Sequence, residues 1–192
     1  RQYTTYEEYL QHQAEKLGKV SDSIRQSDRE YEELVATRYR ELFDFRGKSI
    51  LCLGSRLGGE VRAFKALGAL AVGIDIEPGP RNCHVLHGDF HEIAFPEQCF
   101  DFAFTNAVDH VLDLNRFVPE VARVLKIEGC FLVELAQVRP GNYEVIDTSN
   151  PEPILEQFRR NFILLSQEPI ANRTQYIDWE GQLLHLQKAT AV

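Results

Sequence analysis

Apolar positions change their spacing near Gly47. Before it, Tyr31, Leu34, Val35, Tyr39, Leu42 and Phe43 recur at helical intervals, which predicts an amphipathic stripe that packs on the following residues or covers a ligand mouth. Two helix starts carry capping-box spacing, Thr5 with Glu8 and Ser27 with Glu30, in which each side chain satisfies an orphan amide at the other end. Gly47 is expected to close the second helix. Residues 1–46 therefore read as an N-terminal helical extension or lid, and residues 47–192 as the main domain. Tyr3, Tyr6 and Tyr9 read either as a packing face of that extension or as part of a lid.

From Gly47 onward the apolar residues fall in short continuous runs separated by helical patterns. Strands are predicted at Ser49–Leu53, Leu70–Ile74, His84–Leu86, Phe100–Thr105 and Cys130–Leu135, with helices near Glu60–Leu67 and Leu114–Leu125. This alternation predicts an α/β fold with a largely parallel sheet covered on both faces. Asp113 is placed to cap the second of these helices, whose apolar face is Phe117, Val118, Val121, Val124 and Leu125. Glu77–Asn82 is too short and too broken by proline for a crossover helix, so a loop is expected. After a short helical pattern at Ile154, Leu155 and Phe158, strands at Phe162–Ser166 and Leu183–Gln187 are joined through Asn172–Gly181. With no crossover helix between them, they must pair antiparallel.

At 192 residues the chain is long enough for a full α/β core. A net charge of −8 argues against nucleic acid or an anionic membrane surface as a partner. No run approaches a membrane span or a signal peptide. Cys52, Cys83, Cys99 and Cys130 are widely spaced with no Cys-x-x-Cys pair, so reduced thiols and a cytoplasmic location are expected.

The candidate chemistry begins at the first strand of the main domain. Leu51-Cys52-Leu53 runs into Gly54-Ser55-Arg56-Leu57-Gly58-Gly59, and the next strand ends in Gly73-Ile74-Asp75. Glycines allow a tight turn with close backbone approach to a ligand, and the helix that follows aims its amide donors at the same place. A carboxylate at the end of the neighbouring strand can accept hydrogen bonds from both hydroxyls of a ribose. Taken alone, the pattern fits either a dinucleotide or an adenosyl cofactor.

The order of further segments carries a resemblance. Leu51–Gly58 and Gly73–Asp75 are followed by Gly88-Asp89-Phe90, then Ile93-Ala94-Phe95-Pro96 and Cys99–Phe104, then Val121–Cys130. Together these resemble the class I S-adenosylmethionine-dependent methyltransferases of the small-molecule type. The resemblance implies a Rossmann-like sheet of seven mostly parallel strands with an antiparallel C-terminal hairpin. It implies a methyl group moved from S-adenosylmethionine, with S-adenosylhomocysteine as product, to an O, N or C atom of a small acceptor.

Gly54, Ser55, Arg56, Gly58, Asp75, Ile76, Asp89, Phe90 and Asn106 become cofactor-binding candidates, with Asp89 and Phe90 at adenine. Family members often carry an acid at the place of Cys52 and a glycine at that of Arg56. Arg56 is left either to reach the methionyl carboxylate or to face solvent. Asp109 and His110 leave the fourth strand beside the expected methyl group. His110 is read either as a general base oriented by Asp109 or as a packing residue beside a turn.

His84, His87, His91 and Asp89 have no standard zinc spacing, and no metal is expected. Two alternatives stand behind methyl transfer: a non-catalytic binding or regulatory module on the same fold, then an NAD(P)-dependent reductase, which lacks a Tyr-x-x-x-Lys pair here. The sequence leaves the acceptor and the oligomeric state open.

Overall fold

The computed structural model describes residues 3–15, 22–141 and 144–190. Two helices, α1 (Tyr6–Glu15) and α2 (Asp22–Tyr39), precede β1 (Ser49–Leu53), α3 (Gly59–Ala66), β2 (Leu70–Asp75), β3 (Val85–His87) and β4 (Phe100–Thr105). A 3-10 turn at Val108–His110 leads to α4 (Leu114–Val124), β5 (Leu125–Ala136), α5 (Glu152–Phe158), β6 (Phe162–Arg173) and β7 (Asp178–Lys188). The seven strands form one sheet in the order β3-β2-β1-β4-β5-β7-β6. Strands β1 to β5 pair in parallel, whereas β7 runs antiparallel to both β5 and β6. The expected Rossmann-like sheet with its C-terminal hairpin is borne out. Among the described residues no helix is long and apolar enough to cross a membrane.

Strand alternation sends successive side chains to opposite faces and so divides the core in two. Leu51 and Leu53 of β1 join Phe117 and Val121 of α4, Phe131 of β5 and Phe158 of α5 on one face. Ile50 and Cys52 join Tyr39 of α2, Phe45, Phe64 of α3 and Phe104 of β4 on the other. Both faces of β1 are thus sealed, which is why its sequence is a continuous apolar run.

The N-terminal helices start and stop differently from expectation. Thr5 does cap α1: its Oγ1 accepts from the Glu8 amide at 3.1 Å, while the Glu8 carboxylate accepts from the Thr4 amide at 3.0 Å. Ser27, by contrast, lies inside α2, which already begins at Asp22. Glu30 turns instead to the β6–β7 turn, accepting from the Thr174 hydroxyl at 2.5 Å and the Tyr176 amide at 3.1 Å. The same helix ends at Tyr39, well before Gly47, and Leu42 is exposed.

Tertiary pairing also lengthens several strands. β5 begins directly after α4, with a register shift against β4 and a positive φ of 60° at Glu128, so Lys126–Gly129 bulges within a strand that was expected to begin only at Cys130. β6 and β7 pair from Phe162↔Lys188 to Arg173↔Asp178, leaving only Thr174–Ile177 as the turn. The loop over Glu77–Asn82 is present as expected, and Asp113 caps α4 by accepting from the Asn115 amide at 2.9 Å.

α2 is held by charge as well as by its apolar stripe. Arg38 and the Tyr31 hydroxyl both bind the buried carboxylate of Glu134 on β5, the latter at 2.8 Å. Asp28 accepts from the Gly59 amide at 3.0 Å and from Arg62 at 2.5 Å, which caps the start of α3 from outside the helix. A Cβ on Gly59 would meet the Asp28 carbonyl at 2.5 Å, so this close approach requires glycine.

Candidate functional site

The glycine-rich turn between β1 and α3 is bound to the end of β2 by backbone hydrogen bonds. The amides of Gly54 and Ser55 both donate to the Ile74 carbonyl, at 2.9 and 3.1 Å. Gly54 adopts φ 72°, and a Cβ there would meet Ala107 at 2.8 Å, so the turn can lie close against the end of β4 only as glycine. Arg56 takes a positive φ of 41°, which lets its amide donate to Asp75 Oδ2 at 2.8 Å. Asp75 Oδ1 accepts from the Glu77 amide at 2.9 Å. Each oxygen of that carboxylate keeps a further lone pair.

Above the carboxyl ends of the strands lies a cavity of about 490 Å³. Gly54, Arg56, Asp75, Ile76, Phe90 and Asn106 form one wall. Asp109 and His110 stand opposite with Val138, Arg139, Glu144 and Trp179, and Tyr9 and Gln13 of α1 close the top. A second cavity of about 390 Å³ adjoins it, sharing Gly54, Arg56, Asn106, Asp178 and Trp179 and adding Ser55, Asp28 and Glu60. A larger recess of about 920 Å³ lies between α2 and the Glu77–Asn82 loop; none of the sequence-predicted residues lines it.

Eight of the predicted residues, Gly54, Arg56, Asp75, Ile76, Phe90, Asn106, Asp109 and His110, thus meet at one cavity. Ser55 reaches only the second cavity, and its buried hydroxyl donates to the Cys52 carbonyl at 2.9 Å. Gly58 is the N-cap of α3, at φ 89°. Asp89 stands outside both cavities and is engaged with α1.

That engagement is a compact network. His91 is buried, and its Nε2 accepts from the amides of Leu112 and Asp113, each at 3.2 Å, which places the imidazole proton on Nδ1. Nδ1 then donates to Asp89 Oδ1 at 2.9 Å, and the His91 amide donates to the same oxygen at 2.8 Å. Asp89 Oδ2 accepts from the Tyr6 hydroxyl. Burial works to raise the Asp89 pKa, but the hydrogen bonds from His91 and Tyr6 outweigh it and leave the carboxyl below its ordinary value. Burial, reinforced by the Asp89 charge, pushes the Tyr6 phenol well up.

Tyr9 ties the same helix to the opposite wall. It is buried, stacks edge-on against His91 at 5.7 Å, and donates its hydroxyl to the His110 carbonyl at 3.0 Å. The Asp109 carbonyl accepts from the amides of Val145 and Ile146, at 2.6 and 3.0 Å, fixing the loop after β5 against the 3-10 turn. His110 Nε2 and Asp109 Oδ2 are 3.9 Å apart, too far for a hydrogen bond. Among the described residues, Asp109, His110 and Glu144 bring ligand-type atoms within 4.8 Å of one another, whereas His84, His87 and His91 do not assemble with Asp89 into such a group.

The residues that sequence reasoning missed are Gln13, Glu60, Glu144 and Trp179. Glu60 carried a legible signal, a carboxylate immediately inside a glycine turn. The others come from segments with no local motif.

A methyltransferase-domain family model matches residues 51–133. A curated relative, the uncharacterized methyltransferase YcgJ of Bacillus subtilis (strain 168), is 25% identical over 147 residues, covering 69% of this chain and 53% of its own. The chain therefore spans about half the length of that relative.

Among solved structures, the 1,6-didemethyltoxoflavin-N1-methyltransferase of Burkholderia thailandensis, with bound 1,6-didemethyltoxoflavin and S-adenosylhomocysteine, aligns with a TM-score of 0.75 and 14% identity. That alignment covers 99% of this chain and 93% of the other. The [4+2]-cyclase SpnF aligns with a TM-score of 0.65 and 18% identity over 85% of this chain and 82% of its own. These structural likenesses are likenesses of fold, and the cyclase shows that the fold alone does not fix a reaction. The family model lies on the glycine turn, the Asp75 strand end and β4, so residues 51–133 are similar to a methyltransferase domain, here set in the seven-stranded order β3-β2-β1-β4-β5-β7-β6.

Proposed function

We propose that the chain transfers a methyl group from S-adenosylmethionine to an O, N or C atom of a small organic acceptor held under α1. The observation that carries this reading is the cavity itself. It joins the Asp75 strand end to His110 in a volume of about 490 Å³, within the range of small-molecule sites. The net charge of −8 opposes a nucleic-acid acceptor. The 1,6-didemethyltoxoflavin-N1-methyltransferase, alike in fold along almost the whole chain, holds 1,6-didemethyltoxoflavin and S-adenosylhomocysteine.

The residues present fit the adenosyl cofactor. Asp75 keeps lone pairs for two ribose hydroxyls, Gly54 leaves open backbone beside it, and Phe90 and Ile76 offer apolar surface for the base. The Arg56 guanidinium lines both cavities and forms no hydrogen bond or ion pair among the described residues, which leaves its fork available to the methionyl carboxylate. Asp89 accepts from Tyr6 of α1 at Oδ2 and twice from His91 at Oδ1, so its contribution to adenine runs through Oδ2 alone. When bound, S-adenosylmethionine supplies an electrophilic methyl group on a sulfonium that is already a good leaving group.

The chain's share is alignment, removal of water and, for acidic acceptors, a base. Tyr9 and Gln13 cover the cavity from bulk solvent, and the Tyr9–His110 bond couples that cover to the acceptor wall. His110 takes a proton from an acceptor hydroxyl or amine, with Asp109 near enough to stabilise the resulting imidazolium through space. Four unpaired cysteines suit a cytoplasmic setting.

Calorimetric titration with S-adenosylmethionine, S-adenosylhomocysteine and NADPH tests the reading. Binding of the first two and not the third is expected. Binding of NADPH alone, or of none, overturns it. A metabolite screen detecting methylated product then identifies the acceptor, and cofactor binding with no product from any extract would favour the non-catalytic module.

A further inference from the structure

The second cavity holds a charged group that neither packing nor the fold explains. Glu60 is the second residue of α3, only 4% exposed, and it lines that cavity beside Ser55, Arg56 and Asn106. Its carboxyl forms no bond to another side chain among the described residues and meets only its own backbone amide. A buried carboxyl without a partner is unfavourable by comparison with an apolar residue of the same volume.

We infer that Glu60 accepts the α-ammonium of the methionyl group of S-adenosylmethionine, opposite Arg56 on its carboxylate. The inference rests on the proposed cofactor reading. A zwitterionic tail needs one anionic and one cationic partner in the same space. Arg56 and Glu60 line one cavity of about 390 Å³, adjoining the larger cavity where Asp75 stands; of the other carboxylates there, Asp28 is engaged by Gly59 and Arg62, and Asp178, unlike Glu60, is exposed. Asn106 lines both spaces and so marks the passage between ribose and tail.

The protonation state of Glu60 makes the inference measurable. Burial pushes its pKa up to about 8; its own amide and Arg56 oppose this, while the charges of Asp28 on α2 and Asp75 on β2 reinforce it. Cys52 of β1 and Tyr31 of α2 also face it, and burial holds both well above their ordinary values, so neither ionises in the same range. At pH 7 the ligand-free carboxyl is thus roughly nine-tenths neutral. An arriving ammonium favours the carboxylate, so the carboxyl proton passes to the buffer as the ion pair forms.

The experiment is calorimetry at pH 7 in buffers of different ionisation enthalpy, with S-adenosylmethionine and with 5′-methylthioadenosine, which lacks the amino-acid tail. Wild type should release close to one proton on binding S-adenosylmethionine and none on binding methylthioadenosine. Glu60→Gln, with the shape kept and the charge removed, should weaken S-adenosylmethionine about tenfold, abolish its proton release and leave methylthioadenosine unchanged. The wild-type proton count needs no variant and stands even if Glu60→Gln folds poorly. Absence of proton release in wild type, or equal effects of Glu60→Gln on both ligands, overturns the role of Glu60 while leaving the cofactor reading intact. Failure of wild type to bind either ligand overturns both.

Discussion

On the cofactor side of the cavity, Gly54, Arg56, Asp75 and Ile76 sit at the ends of two adjacent strands, which are joined by the Gly54 amide on the Ile74 carbonyl and the Arg56 amide on the Asp75 carboxylate. On the acceptor side, Tyr9, His110, Val138, Glu144 and Trp179 come from α1, the turn after β4, the loop after β5 and the start of β7, and side chains and loop amides hold them together. The first wall is a consequence of forming the sheet, and damage there should register as lost cofactor affinity. The second depends on α1 and the loops docking, and damage there should register in rate. The contrast can be tested wall by wall.

The largest effect is expected on the acceptor wall. If His110 is the base, His110→Ala lowers the methyl-transfer rate about 10²–10⁴-fold and leaves S-adenosylmethionine affinity within a factor of about two. Single-turnover kinetics with saturating cofactor, beside a binding titration, reads both quantities. An undiminished rate would leave alignment and water removal as the whole of the mechanism. A parallel loss of cofactor affinity would show that the two walls are not separable.

On the opposite wall, Asp75→Ala removes the acceptor for two ribose hydroxyls and for the amides of Arg56 and Glu77. Loss of charge-assisted hydrogen bonds corresponds to about 1.5–3 kcal/mol, or about ten- to a hundredfold in cofactor affinity. The melting temperature reports the two backbone amides independently of ligand. Unchanged affinity by calorimetry removes Asp75 from the site.

The same division governs what could be read from the sequence. The β1–α3 turn and the end of β2 were legible because sterics act locally: a buried strand must be a continuous apolar run, and a φ near 72° at Gly54 favours glycine. The Glu77–Asn82 loop was legible through its prolines. The second helix start was not, because Ser27 with Glu30 satisfies a local rule while tertiary contacts decide the outcome. Asp28 is drawn to Gly59 and Arg62, and Glu30 to Thr174 and Tyr176, so the helix extends N-terminal to both. The length of β6 was hidden for a related reason: Gln167 and Glu168 face solvent on an edge strand and show no apolar signal. Tyr9 and Trp179 have neighbours only in three dimensions, and nothing near them in the chain announces a cavity.

A smaller effect distinguishes Arg56 from a passive turn residue. Lysine keeps the charge and the Cβ at φ 41° but loses the two-pronged donor, so Arg56→Lys should weaken S-adenosylmethionine several-fold, up to about tenfold. Adenosine, which has no amino-acid tail, should bind both proteins alike. Equal losses for both ligands would assign the change to the turn itself.

The smallest effect is expected at the tie between α1 and the rest of the cavity. Tyr6→Phe keeps the ring under Arg116, whose guanidinium lies 5.0 Å from it, and removes only the hydroxyl that donates to Asp89. A hydrogen bond to a carboxylate is worth about 1.5–3 kcal/mol, but water can reach the partly exposed Asp89 in place of the lost hydroxyl, so the net cost falls to about 0.5–1.5 kcal/mol and the opening of α1 should become about two- to tenfold more frequent. Amide hydrogen exchange within Tyr6–Glu15 measures that directly, while amides of β1 should not respond.

The tie also carries a pH signature. The folded Asp89 carboxyl lies below its ordinary value, so the stability it lends is fully present above the ordinary carboxyl pKa of about 3.9 and is lost as the pH falls through the lower folded value. Protection of α1 should therefore be constant from pH 7 to pH 5 and decline below pH 4, with the decline smaller in Tyr6→Phe. If exchange in α1 is the same in both proteins at every pH, Tyr9 and the aromatic packing against His91 hold the cover without Asp89. The acceptor wall would then depend on packing alone.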